Sequence, residues 1–127
     1  MGDVPEDLKY TEEHEWVRVE GDVVSIGITD FAQNALTEVV WVELPEIEIE
    51  VSAMESFASV ESVKSVSEIY APVAGTVTEV NQSLEDSPEQ INEDPYGSGW
   101  ICKIKVDPGL DLSGLLDASS YSKLIGE

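Results

Sequence analysis

Val60-Glu61-Ser62-Val63-Lys64-Ser65-Val66-Ser67-Glu68-Ile69-Tyr70-Ala71-Pro72 sets one basic residue between two extended, valine-bearing runs. Apolar residues recurring at every second position read as strands, and the alternation on both sides of Lys64 predicts that the chain reverses there. Residues 57–62 and 66–70 are then the two arms of a hairpin with Lys64 at its turn. The chain has only five lysines, so an isolated amine held at a turn asks for an explanation that solubility does not supply.

Outward from that hairpin, short β-rich segments continue in both directions. Residues 16–20 and 23–28 read as a second hairpin around Glu20-Gly21-Asp22, because glycine allows the positive φ that such turns need. Asp30, followed three residues later by Gln33, predicts the cap of a short helix with Ala32, Ala35 and Leu36 on one face. Residues 39–44 read as a strand that stops at Pro45, which has no N–H for a ladder. Ile47, Ile49 and Val51 alternate with Glu48, Glu50 and Ser52 as in a half-buried strand, and Gly75 marks a bulge or bend within residues 73–80. Residues 86–94 form a polar connector with a helical turn at Pro88, and Asp94-Pro95-Tyr96-Gly97-Ser98-Gly99 forms a tight loop ahead of a strand from Trp100. A C-terminal helix is predicted near residues 117–126, docking through Tyr121, Leu124 and Ile125. Regularly spaced strands without long alternating helices predict a mostly β fold, an antiparallel β-sandwich or flattened barrel with short helices.

The 127 residues fit one domain, with residues 1–7 as a flexible lead, and 42% hydrophobic residues are enough to build a core. A formal charge of −21, from 27 acidic against 6 basic side chains, excludes a nucleic-acid backbone as partner, since phosphate binding needs clustered Lys or Arg. Such charge favours a monomer and steers the chain toward basic docking surfaces. Cys102, the single cysteine, shares a strand face with Trp100, Ile104 and Val106 and reads as a buried, inert thiol. No segment approaches membrane-spanning length, and the acidic start, residues 1–7, lacks an apolar signal core; the expected location is cytoplasmic.

Several separated blocks resemble the glycine cleavage system H proteins: Glu61-Ser62-Val63-Lys64, Tyr70-Ala71-Pro72, Tyr10-Thr11-Glu12-Glu13-His14-Glu15-Trp16-Val17, Gly27-Ile28-Thr29-Asp30, Val42-Glu43-Leu44-Pro45 and Ile91-Asn92-Glu93-Asp94-Pro95-Tyr96-Gly97. They occur in the family's order, from about Leu8 to the end. The resemblance implies a lipoyl-domain relative whose Lys64 ε-amine is amide-linked to lipoate. In the family the arm takes an aminomethyl group from glycine at a pyridoxal-phosphate glycine decarboxylase (P protein) and yields it to a folate-dependent aminomethyltransferase (T protein). A flavin-dependent dihydrolipoyl dehydrogenase (L protein) then reoxidises it, so the chain itself is a carrier and not an enzyme. About a dozen bonds, each advancing roughly 1.25 Å, give the arm a reach on the order of 15 Å.

Within this resemblance, Glu15 and Glu68 are candidates to pair with the protonated amine of the loaded arm, against the plainer reading of each as a solvated acid. Glu61 and Ser62 are candidates for recognition by the lipoate-attaching enzyme. Biotin carriers typically flank their lysine with methionines, whereas Val63 and Ser65 flank Lys64 here. His14, the only histidine, has no second ligand at metal spacing and reads as a packed structural residue. Trp16, Trp41 and Trp100 lie within strand patterns and read as packing residues.

The chain also departs from the family. Phe31 replaces a frequent histidine or tyrosine, and Thr37, Glu48 and Met54 stand at or near places where glycine is common. If the turns at Glu48 and Met54 need positive φ, each carries strain of roughly 1–2 kcal/mol. Two other functions remain open on the sequence: an H-like protein relaying lipoate to other lipoyl domains, and an unmodified β-sandwich acting as a binding module.

Overall fold

The computed structural model describes residues 4–107, 112 and 114–126 and is mostly β. Strands β1 (Lys9–Tyr10), β2 (Glu15–Glu20) and β3 (Val23–Ile28) begin a six-stranded sheet completed by β9 (Cys102–Lys105), β8 (Gly75–Val80) and β5 (Glu50–Val51), in the order β1-β2-β3-β9-β8-β5. A three-stranded sheet has β4 (Val39–Glu43) and β7 (Val66–Tyr70) on either side of β6 (Ser56–Ser62). All neighbouring strands are antiparallel, and among the described residues there are four short helices: α1 (Asp30–Leu36), α2 (Ser83–Asp86), α3 (Gln90–Glu93) and α4 (Ala118–Leu124).

The main core gathers inward-facing side chains of both sheets, among them Val17, Ile26, Val60, Ile69, Val77 and Ile104. A second cluster of Leu8, Tyr10, Trp16 and Tyr121 lies on the opposite face of β2, because successive strand residues point to opposite sides. Val17 therefore enters one cluster and Trp16 the other, and both are fully buried. Gly27 stands opposite Trp16 in the β2–β3 register, and a Cβ there would come within 2.7 Å of the indole ring. The Trp16 indole N–H donates to the Pro95 carbonyl at 2.9 Å, fastening the 94–99 loop over this cluster. Val4 and Pro5 are tied in as well: Val4 packs against the cluster and the Tyr10 hydroxyl donates to the Pro5 carbonyl at 2.6 Å.

The β2–β3 hairpin forms where expected, with Glu20 opposite Val23 and Gly21 at φ 69°. Other local expectations shift. Thr29 caps α1, its hydroxyl accepting from the Ala32 N–H at 3.2 Å, while Asp30 is the first helical residue and accepts from the Gln33 side chain at 2.7 Å. The alternation at 47–51 yields only the two-residue β5, because the chain must leave one sheet for the other after Pro45. Glu48 turns through φ 74° to do so, with its N–H donating to the Val77 carbonyl at 2.6 Å. The irregularity in β8 lies between Val77 and Glu79 rather than at Gly75, where the reason for glycine is steric: a Cβ would fall 2.3 Å from the Lys105 carbonyl. The polar connector resolves into α2 and α3 with Pro88 in the turn between them, and β9 begins at Cys102 rather than Trp100. In α4, Tyr121 is buried and Ile125 packs against the second cluster, but Leu124 is 48% exposed and does not dock.

Candidate functional site

The turn joining β6 to β7 is built by Ser62. Its hydroxyl accepts from the Lys64 N–H at 3.3 Å and the Ser65 N–H at 3.1 Å, and its own N–H donates to the Ser65 carbonyl at 2.8 Å. A serine hydroxyl bonding the backbone two and three residues ahead stabilises a reversal without any residue in the left-handed region. None of residues 62–65 has positive φ. The Val63 N–H leaves the hairpin and donates to the Glu38 carbonyl at 3.1 Å, so the turn is anchored to the segment between α1 and β4. The Val63, Lys64 and Ser65 side chains all project into solvent. Among the described residues the ion pair is Lys103 with Glu79, and Lys64 is in none. The result is a free primary amine on a hydrogen-bonded two-stranded projection.

The exposed face of the three-stranded sheet runs back from this tip. Its first cross-strand row is Trp41, Glu61 and Val66, and the second is Glu43, Ser59 and Glu68. Trp41 is 50% exposed, so it lies on the sheet surface rather than in the core, and Val63 and Val66 are exposed beside it. Glu43, Ser59 and Glu68, with Ser56 and Phe57, border a shallow depression of about 250 Å³. Glu68 lies four residues beyond Lys64, at most roughly 13 Å away for extended chain.

Glu15 is placed differently. It is fully buried at the start of β2, where one carboxylate oxygen accepts from the Thr11 hydroxyl and the other from the Tyr70 N–H at 3.1 Å. Burial pushes its carboxyl up to about 6, against the lowering effect of those hydrogen bonds. It therefore joins the six-stranded sheet to the base of the β6–β7 hairpin, and it presents no surface to an arm lying on the outer face. Ser62 is likewise buried, its hydroxyl occupied by the turn, while Glu61 and Glu68 are exposed.

His14 is half-buried at φ 71°, with Nδ1 2.8 Å from the Tyr121 hydroxyl, which is itself 2.7 Å from the Thr29 hydroxyl. Burial holds its pKa below the usual histidine value. The Phe31 ring lies 4.9 Å from the imidazole, so the residue that departs from the family pattern packs there rather than forming a polar contact. Burial pushes the Cys102 thiol up to about 12, which leaves it protonated and unreactive at neutral pH. Among the described residues no cluster of three or more His, Cys, Asp or Glu could hold a metal ion.

The sequence profile of the glycine cleavage H-protein family matches residues 8–127. The chain belongs to that family. It is 57% identical over 124 residues to the glycine cleavage system H protein of Staphylococcus carnosus strain TM300, covering 98% of each chain. It is 53% identical over 124 residues to that of Staphylococcus saprophyticus subsp. saprophyticus, again over 98% of each. The crystal structure of the Mycobacterium marinum glycine cleavage system H protein superposes with a TM-score of 0.90 at 39% identity, covering 98% of this chain and 100% of that one. The family's fold thus accounts for the two sheets and the short helices.

What sequence reasoning missed was the set of residues that hold the turn from behind. Glu38 gives the turn only a carbonyl, to which side-chain identity is no guide, and Asn92, far away in the chain, bonds not the turn itself but the Thr37 carbonyl and Val39 N–H on either side of Glu38. The one available signal was that Asn92 belongs to a block shared with the family.

Proposed function

We propose that Lys64 carries lipoate in amide linkage and that the chain serves the glycine cleavage system as its lipoyl carrier. Family membership supports the carrier role, and the observation that carries the assignment to Lys64 is its unpaired, solvent-facing amine on a turn whose four N–H groups, those of residues 62–65, are all hydrogen-bonded. When bound, the lipoyl group would supply the dithiolane sulfurs that accept and pass on the aminomethyl carbon and two electrons.

The chain's own residues do the mechanical part. Ser62 and Glu38 fix where the arm starts, which confines its end to a shell on the order of 15 Å around the tip. Tethering raises the local concentration of the carried group at a partner's site, as a short linker does. Glu68, beside the depression on the outer face, is positioned to receive a cationic group on the returning arm, while Glu15 supports the hairpin from inside. Exposed Glu61 is the residue of the Glu61–Ser62 pair available to the lipoate-attaching enzyme, and Ser62 contributes by shaping the turn.

The partners in this reading are the glycine decarboxylase, the aminomethyltransferase and the dihydrolipoyl dehydrogenase, each of which supplies its own chemistry. The strongly acidic surface would favour basic docking faces on them. Among the described residues no helix is long and apolar enough to cross a membrane, and the proposal includes a cytoplasmic location.

Expression with lipoate and a lipoate-attaching enzyme, followed by intact mass and peptide mapping, tests the assignment. One lipoyl group on the peptide containing Lys64 is the expected result. A chain that stays unmodified while a known lipoyl domain in the same cells is loaded would leave a β-sandwich binding module as the better description.

A further inference from the structure

We infer that Asn92 is a positioning residue for Lys64, acting through the strained turn between α1 and β4; this rests on the assignment of Lys64 as the lipoyl site. The Asn92 side chain, half-buried on α3, makes three hydrogen bonds around that turn. Its Nδ2 donates to the Thr37 carbonyl at 2.6 Å and to Gln33 Oε1 at 2.9 Å, and its Oδ1 accepts from the Val39 N–H at 2.9 Å. The bonds to Thr37 and Val39 bracket Glu38, whose carbonyl receives the Val63 N–H next to Lys64.

The bracket is needed because Thr37 adopts φ 66°, ψ −138°, a conformation suited to glycine and costly for a β-branched residue. Such a turn persists only when its surroundings over-determine it. The Thr37 N–H bonded to the Gln33 carbonyl at 3.0 Å holds one side, and Asn92 holds the other. Just beyond it the β4–β6 register shifts between Val39 and Trp41, so the ladder that would otherwise align the tip is irregular where it reaches Val63. Releasing Asn92 therefore lets Thr37 relax and turns the Glu38 carbonyl away from the lysine turn.

Two readouts test this on the whole chain. In Asn92→Ala, exchange of the Val63 backbone amide followed by NMR should quicken by about fivefold or more, the effect of one ordinary hydrogen bond lost, with Val60 changing less. Lipoylation by the attaching enzyme should show a KM raised severalfold at nearly unchanged kcat, since the amine's chemistry is untouched and only its presentation suffers. Adding Thr37→Gly, which removes the need for the bracket, should restore both values. Adding Met54→Gly, which relieves strain at a different turn, should raise the melting temperature without restoring either. Should Asn92→Ala fail to fold, Asn92→Gln, which keeps the amide but displaces it, takes its place.

Unchanged Val63 exchange and KM in the single variant, or equal rescue by Met54→Gly, would overturn the inference. If the parent chain is not lipoylated at all while Val63 exchange still responds to Asn92→Ala, the bracket stands and the assignment of Lys64 fails.

Discussion

At one end of β6 the chain reverses through residues 62–65 with no residue at positive φ; at the other it arrives through residues 52–55 with Met54 at φ 68°. The lysine end relies on a side chain, the Ser62 hydroxyl, to satisfy backbone donors, so Val63, Lys64 and Ser65 keep ordinary dihedrals. The base combines backbone bonds with a side-chain one and still accepts a left-handed residue: the Met54 N–H donates to the Ala71 carbonyl at 2.6 Å, the Ala71 N–H returns to the Glu55 carbonyl at 2.8 Å, and the Ser52 N–H donates to the Glu55 carboxylate at 2.8 Å. A buried carboxylate, Glu15, adds a further bond there through Tyr70. Strain is thus kept out of the turn that carries the amine and tolerated at the turn that only joins strands, though Thr37 brings it back one layer behind the tip.

The sharpest way to isolate the lysine end is Lys64→Arg, which keeps the charge but offers no acylable amine. Lipoylation should fall to nothing by intact mass, while stability stays within about 0.5 kcal/mol of the parent by denaturant unfolding, as for an exposed side chain.

The base is broken next by Glu15→Gln, through pH. Its folded pKa of about 6 lies above the ordinary carboxylate value, so the folded state binds the proton more tightly and ionisation destabilises it. The associated stability is present below about pH 4.5 and lost as pH rises through 6, a difference of about 2 kcal/mol. Glutamine does not titrate, so the variant's stability relative to the parent should rise by that order between pH 4.5 and 7 in urea unfolding. A flat difference would mean that the carboxyl does not titrate as its burial suggests.

Removing the hydroxyl that shapes the tip, in Ser62→Ala, leaves the Lys64 and Ser65 N–H groups to water and should cost about 1 kcal/mol, together with slower lipoylation. The smallest effect is expected at the base turn. Met54→Gly relieves the left-handed strain but adds unfolded-state entropy, for a net gain of about 0.5–1 kcal/mol, read as a raised denaturation midpoint with unchanged lipoylation.

Much of this architecture was legible along the chain. Alternation located β2, β3, β6 and β7, and the lysine between two extended runs located the turn. The absence of glycine marked Thr37, Glu48 and Met54, and all three have positive φ. His14 at φ 71° carried no such mark, because nothing local distinguishes it from a strand residue. The alternation at 47–51 misled because apolar spacing does not say when a chain must cross from one sheet to another. Which of the two candidate acids, Glu15 and Glu68, is buried could not be read from the sequence. Trp16 covers one face of β2 and the main core the other, so Glu15 ends up inside although its neighbours in sequence are polar on one side.

Local physics, the period of two and the isolated amine between two extended runs, determined that an exposed lysine would stand on a hairpin of a β protein. Only the tertiary structure decided what lies behind that lysine: the Glu38 carbonyl against Val63, Asn92 around Thr37, and Glu15 under Tyr70. Each of these contacts joins residues far apart in sequence through a backbone group or a short polar side chain. Backbone N–H and carbonyl groups are the same at almost every position, so their pairing leaves no trace in residue type until the sheets are in place.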